Sequence, residues 1–198
     1  MRLLTFQPLR VLDDIRDKGR YTHTSANEKL GDKIFCLKVD ENTMENIFIT
    51  APSMPQVLIE FEVNDSEVEI IDYIEWVNYI NSNRRAYTGK YANVTKYKEY
   101  AVTCIKDASI VHTEILTDNK DPDIVQDVFM DKHFERYEKL SGKKWKRNRD
   151  LDLSGFWQTH KAYELVEKVT RCMMPMTTLT EEDVDEAHKI IKETYLIS

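Results

Sequence analysis

The sequence predicts an α+β fold, with a mixed or antiparallel sheet in the N-terminal part and a C-terminal extension of three helices. Three observations carry this. Strand-like apolar stretches are confined to the first 116 residues, capped patterns of helical period fill the chain after Asp121, and no internal repeat is present. The boundary near Asp121 suggests an α+β core over residues 1–120 and a helical extension over residues 121–198 packed on it.

Leu3, Leu4 and Phe6 read as a short strand. Pro8 then opens a helix with apolar Leu9, Val11, Leu12 and Ile15, which Gly19 closes as a C-terminal cap. Residues 20–31 are polar and irregular. Strands are expected at 34–39 and 46–50, and the clearest β signal is VLIEFEV at 57–63. There Val57, Ile59, Phe61 and Val63 alternate with Leu58, Glu60 and Glu62, the period of a half-buried strand with one face in water. Val68 to Tyr73 is β-like and runs into helical spacing at Trp76, Val77 and Ile80. A polar, tyrosine-rich stretch covers residues 82–98, and strands are expected at 100–105 and 110–116.

Asp121 and Pro122 form an N-cap and first-turn pair for a helix through Val125, Phe129 and Phe134, ended by Ser141 and Gly142. A second helix is marked by Leu153, Phe156, Trp157, Tyr163 and Val169. Thr180 and Asp183 make a capping box for a last helix bearing Val184, Ala187, Ile191 and Tyr195.

Composition removes several classes. The chain has 198 residues, 41% hydrophobic and 32% charged, enough for a real core. Five glycines and five prolines exclude collagen-like and low-complexity chains. No apolar run reaches the roughly 18 residues that span a bilayer, and Asp13, Asp14 and Asp17 stand where a signal peptide would be apolar. A soluble, cytoplasmic protein is expected. Cys36, Cys104 and Cys172 are an odd, scattered set read as reduced and buried, Cys104 within an apolar strand.

The five histidines show no metal-ligand spacing, so no metal site is expected. Neither a P-loop nor a G-x-G-x-x-G motif is present, which removes kinase, P-loop NTPase and Rossmann readings. One carboxylate remains. Glu99 stands directly before the apolar run YAVTCI, so its side chain is expected at a strand mouth, where it could hold a sugar hydroxyl and stabilise a cationic ribosyl centre. The plainer alternative is a solvated glutamate beside a strand.

The opening LLTFQPLRVLDDIRDKGRY and the later KEYAVTCIKDASIVHTEI resemble the first and the catalytic-glutamate regions of the ADP-ribosyltransferase fold. The opening also resembles a bacterial and phage domain that begins L-x-T-x-Q-P, here Leu3, Thr5, Gln7 and Pro8, and carries a later tryptophan element, here Glu75 to Asn81. The resemblance covers residues 1 to about 116. It implies NAD as cofactor, with Thr5 and Gln7 at the first-strand contact, Tyr21 and Ser25 near the nicotinamide ribose, and Glu99 on the ribose hydroxyl. Transferases of this fold carry Arg or His on the first strand. Thr5 and Gln7 can hydrogen-bond but bring no positive charge to a pyrophosphate.

Net charge is −7, yet residues 132–149 hold eight Lys/Arg against Glu135 and Glu138, a local +6 that leaves −13 elsewhere. Lys143, Lys144, Lys146, Arg147 and Arg149 around Trp145 could hold an acceptor or stack on an unpaired base, or could be a solvated interhelix loop. The leading expectation is transfer of ADP-ribose from NAD to a protein or nucleic-acid acceptor. The rivals are a non-catalytic phage or mobile-element interaction protein that inhibits a host nuclease or nucleic-acid complex, and a plain nucleic-acid binder.

Overall fold

The structure, a computed structural model, describes residues 1–23, 31–39, 54–80, 82, 97–145 and 178–197. The expected strand at 46–50, the tyrosine-rich stretch 83–96, the helix from Leu153 to Val169 and Cys172 lie outside the described residues.

The fold is α+β, built on a six-stranded sheet in the order β5-β6-β3-β1-β4-β8. The strands are β1 (Arg2–Gln7), β3 (Ile34–Lys38), β4 (Val57–Glu62), β5 (Glu69–Asp72), β6 (Lys98–Val102) and β8 (Ile110–Ile115). Every pairing in the sheet is antiparallel. A two-stranded ribbon joins β2 (Arg20–Tyr21) to β7 (Ile105–Lys106), and another joins β9 (Lys144–Trp145) to β10 (Leu196–Ile197). The helices are α1 (Leu9–Lys18), α2 (Tyr73–Ile80), α3 (Pro122–Ser141) and α4 (Glu181–Tyr195).

Alternation along each strand divides the sheet into two buried faces. On one, Leu3, Cys36, Ile59, Tyr100 and Val102 pack with Val11, Leu12 and Ile15 of α1. Burial of each such aliphatic side chain contributes about 2 kcal/mol by transfer, an upper figure because the unfolded chain already hides part of it. On the other face, Leu4, Phe6, Leu37 and Leu58 meet Phe129 of α3, and Ile71 and Ala101 meet Trp76 and Tyr79 of α2. The Phe6 and Phe129 rings meet edge-on at 4.8 Å between centroids.

The caps follow the sequence signals. Gly19 and Gly142 end α1 and α3 in the left-handed conformation, at φ 71° and 69°. The Asp121 carboxylate accepts the Asp123 N–H at 3.0 Å. At α4, Thr180 N–H donates to Asp183 and Asp183 N–H donates to the Thr180 hydroxyl, a reciprocal box. At α1, where Pro8 offers no side-chain oxygen, Gln56 supplies one: its Oε1 accepts the Leu9 N–H at 3.0 Å, and its Nε2 donates to the Asn119 carbonyl at 2.7 Å.

The helical C-terminal part packs on the core at several points. Tyr73 and Val77 share a cluster with Tyr97, Leu179 and Val184, and the Tyr97 hydroxyl donates to the Asp185 carboxylate.

Three expectations need correction. The strand at β4 does not turn one face to water. It lies between β1 and β8 with helices on both sides, so Glu60 is buried at 4% exposure. The strand expected at 100–105 runs from Lys98 to Val102, because pairing with β5 through Asp72↔Lys98 and Ile71↔Glu99 extends it backwards. Cys104 then falls in the break between β6 and β7, where it is half-buried rather than inside a strand.

Candidate functional site

Glu99 is the second residue of β6, not a residue before it, and its side chain is buried at 4% exposure. No hydrogen bond or ion pair reaches its carboxyl group among the described residues. Desolvation alone acts on it and pushes its pKa up to about 8. At neutral pH the group is mostly a neutral acid, and a neutral acid gives little electrostatic help to a developing cation.

Thr5 and Gln7 lie on β1, and the register decides which way they face. Thr5 pairs with Ile59, within the layer covered by α1. Glu99 is opposite Ile71 and shares its face with Ala101, the layer covered by α2. The two sets therefore project from opposite faces of one sheet. Thr5 and Gln7 also satisfy each other: Gln7 Nε2 donates to Thr5 Oγ1 at 2.8 Å, and Thr5 Oγ1 donates to the Phe35 carbonyl at 3.0 Å. Tyr21 packs at the rim of the α1-side cluster, and its hydroxyl lies 3.3 Å from His23 Nδ1. Burial pushes that phenol's pKa up. Ser25 lies outside the described residues. Thr5, Gln7 and Glu99 thus do not fit NAD as one site, since a dinucleotide lying on one side of a sheet cannot reach both.

The basic strip is partly neutralised within the fold. The Arg136 guanidinium donates to Glu60 Oε1 at 2.5 Å, Lys132 sits 3.7 Å from both Glu114 and Glu135, and Lys144 pairs with Glu138 at 3.3 Å. Lys144 and Trp145 form β9 against β10 instead of an open loop. Lys143 is exposed, while Lys146, Arg147 and Arg149 lie outside the described residues.

Sequence reasoning missed two features. The first is the carboxylate of Glu60, gripped by Arg136 from α3 and by Arg2 of β1 at 2.6 Å. Burial opposes its ionisation, and the hydrogen bonds and charges of Arg136 and Arg2 outweigh it and hold its pKa below the ordinary carboxylate range. Nothing in VLIEFEV separates this glutamate from one facing water.

The second is an exposed sheet edge. β8 is the outer strand beyond β4, with no strand on its other flank among the described residues. The large apolar side chains most exposed among the described residues are Val111 at 47%, Ile115 at 55% and Ile124 at 45%, all on β8 or the first turn of α3. The register slips between Glu60 and Phe61, leaving Val111 as the extra residue of a β-bulge. In sequence, the signal is a long acidic run. Residues 107–131 hold Asp107, Glu114, Asp118, Asp121, Asp123, Asp127 and Asp131 against Lys120 alone.

Near the bulge, a cavity of about 600 Å³ opens between the start of β1, the end of β4 and the turn before β8, with Cys104 and Lys106 in its lining. Its cations are engaged, Lys106 with Glu67 at 3.0 Å and Arg2 with Glu60. Among the described residues no group of three or more His, Cys, Asp or Glu side chains is arranged to hold a metal ion, and no helix is long and apolar enough to cross a membrane. Set against models of known families, curated proteins and solved structures, the chain matches none.

Proposed function

We propose that this chain is a non-catalytic interaction protein that docks on a partner polypeptide through the edge strand β8 and the start of α3. The observation that carries this reading is the confinement of the three most exposed large apolar side chains, Val111, Ile115 and Ile124, to that one stretch. Exposed apolar side chains that fall in one short segment beside a sheet edge give a partner apolar area to cover. The edge also offers main-chain groups with no strand beside them among the described residues, which a partner strand can use.

Transfer of ADP-ribose is the second reading. The feature in its favour is the buried Glu99 carboxyl, which has no partner among the described residues, because strongly shifted groups gather at functional sites. Against it stand the opposite orientations of Glu99 and Thr5.

One pair of measurements separates the two readings. A photo-crosslinking residue at Val111, and at exposed Arg16 on α1 as control, is introduced in the cells that make the protein. The docking reading expects a discrete protein adduct from position 111 and none from position 16. A rise in Tm with NAD at millimolar concentration, together with equal crosslinking at both positions, would overturn it in favour of the transferase, since a ligand that binds only the native state must raise its stability.

A further inference from the structure

Resting on the docking reading above, we propose that the outer flank of β8 takes an extended, basic segment of the partner as a seventh strand, with Lys or Arg alternating with apolar residues.

The hydrogen-bond phase of β8 shows which groups are on offer. Leu116 N–H donates to the Gln56 carbonyl at 2.8 Å. In an antiparallel ladder, hydrogen-bonded and non-bonded pairs alternate, so Glu114 and His112 also turn their main-chain groups toward β4. Thr113 and Ile115, opposite Ile59 and Val57, turn theirs outward. These outward N–H and C=O groups form the row that an added strand needs. The usual defences of an edge are thin here: the strand carries no Pro and no Lys, and its single irregularity is the bulge at Val111. Six residues of strand extend about 20 Å, enough to guide a partner segment of similar length.

Charge selects the occupant. The stretch 107–131 has seven acidic residues and one lysine, a net −6 with His112 neutral; Glu114 on β8 is paired with Lys132, so among the described residues the uncommitted charge lies after the strand, at Asp118, Asp121 and Asp123. A second copy of this chain would set two such stretches against each other, and a nucleic-acid phosphate backbone would be repelled in the same way. A segment with basic side chains beside Asp118, Asp121 and Asp123 and apolar ones beside Ile115 satisfies both the charge and the exposed apolar surface.

The test uses the full chain and two blocked eight-residue peptides, one alternating Lys and Val, the other Glu and Val. Binding is read by calorimetry and by amide exchange. The expected result is binding of the Lys/Val peptide at least tenfold tighter than the Glu/Val peptide, with slowed exchange at Thr113 and Ile115. Affinity should fall at least tenfold in Thr113→Pro, which removes an outward N–H, and in Ile115→Lys, which keeps the backbone intact and repels the ligand. Equal affinity for both peptides, unchanged binding in Ile115→Lys, dimerisation of the chain through β8, or binding of a short single-stranded DNA at this edge would each overturn the proposal. If Val111 crosslinks to a protein while the Lys/Val peptide fails to bind, the basic strand is wrong and the docking reading stands. If neither occurs, both fall.

Discussion

Asn78 and Leu179, 101 positions apart, exchange two hydrogen bonds: Asn78 Nδ2 donates to the Leu179 carbonyl at 2.8 Å, and Leu179 N–H donates to Asn78 Oδ1 at 2.7 Å. A side-chain amide carries a donor and an acceptor in the same arrangement as a peptide group, so Asn78 receives the passing backbone as a neighbouring strand would. This joins α2 to the segment that leads into α4, and it places Leu179 against Tyr73 and Val77. Asn78→Ala should therefore destabilise the protein by about 2 kcal/mol, near 1 kcal/mol for each lost bond. Urea denaturation measures the loss, and faster amide exchange in α4 than in β1 would locate it.

Glu60 and its two arginines set the acid side of the stability profile. Its pKa is lowered in the folded state, so the stability it contributes is present above the ordinary unfolded value near 4.5 and is lost as pH falls through the lower folded value. Glu60→Gln should cost about 3 kcal/mol at pH 7, because both arginines lose their counter-charge. The variant and the wild type should converge as the pH falls through that lowered folded value. A constant gap over the whole range would disprove the linkage.

Glu99 acts in the opposite direction. Its pKa is raised to about 8, so the folded state prefers the protonated form, and stability is fully present below the unfolded value near 4.5 and falls as pH rises toward 8. The penalty at pH 7 is on the order of 3 kcal/mol, at about 1.4 kcal/mol per pH unit. Glu99→Gln should match the wild type near pH 4 and become progressively more stable than it up to pH 8. Thermal melts at each pH would show the two curves separating, and parallel curves would refute the shift.

The two described cysteines should differ in reactivity. Cys36 is 1% exposed and burial pushes its thiol pKa up, whereas Cys104 is half-buried beside the cavity. Brief treatment of the native protein with a maleimide, followed by peptide mapping, should find label on Cys104 and none on Cys36 until denaturant is added.

The capping box at α4 gives a local test. Thr180→Ala removes the acceptor of the Asp183 N–H and should cost about 1 kcal/mol, while Thr180→Ser should be nearly silent. Equal losses in the two variants would show that the hydroxyl is not the stabilising group.

Elements whose signals are local were legible. The Thr180 and Asp183 box, the Asp121 cap, the glycine stops at Gly19 and Gly142, and the position of β4 depend on residues a few positions apart, and each is found where the spacing put it. What could not be read depends on distant partners. Glu60 looks like a solvent residue until Arg2 and Arg136 arrive from 58 and 76 positions away. Glu99 lies inside β6 because β5 pairs with it, and its projection from the face opposite Thr5 follows from strand register and order, which no short motif encodes. The basic strip was visible as charge, but its engagement with Glu60, Glu114 and Glu138 was not.

The earliest strand of the chain is also the seam of the sheet, since β1 holds β3 on one side and β4 on the other. A ribosome adding about 5–20 residues per second releases β1 several seconds before β4, whose pairing partners begin at Val57. During that interval Leu3, Leu4 and Phe6 lack their neighbours, so the nascent chain has a waiting period in which it is open to holdase capture or to mispairing with another copy. Assembly across this seam, and not the quick formation of α1 beside it, should govern how fast newly made protein becomes native.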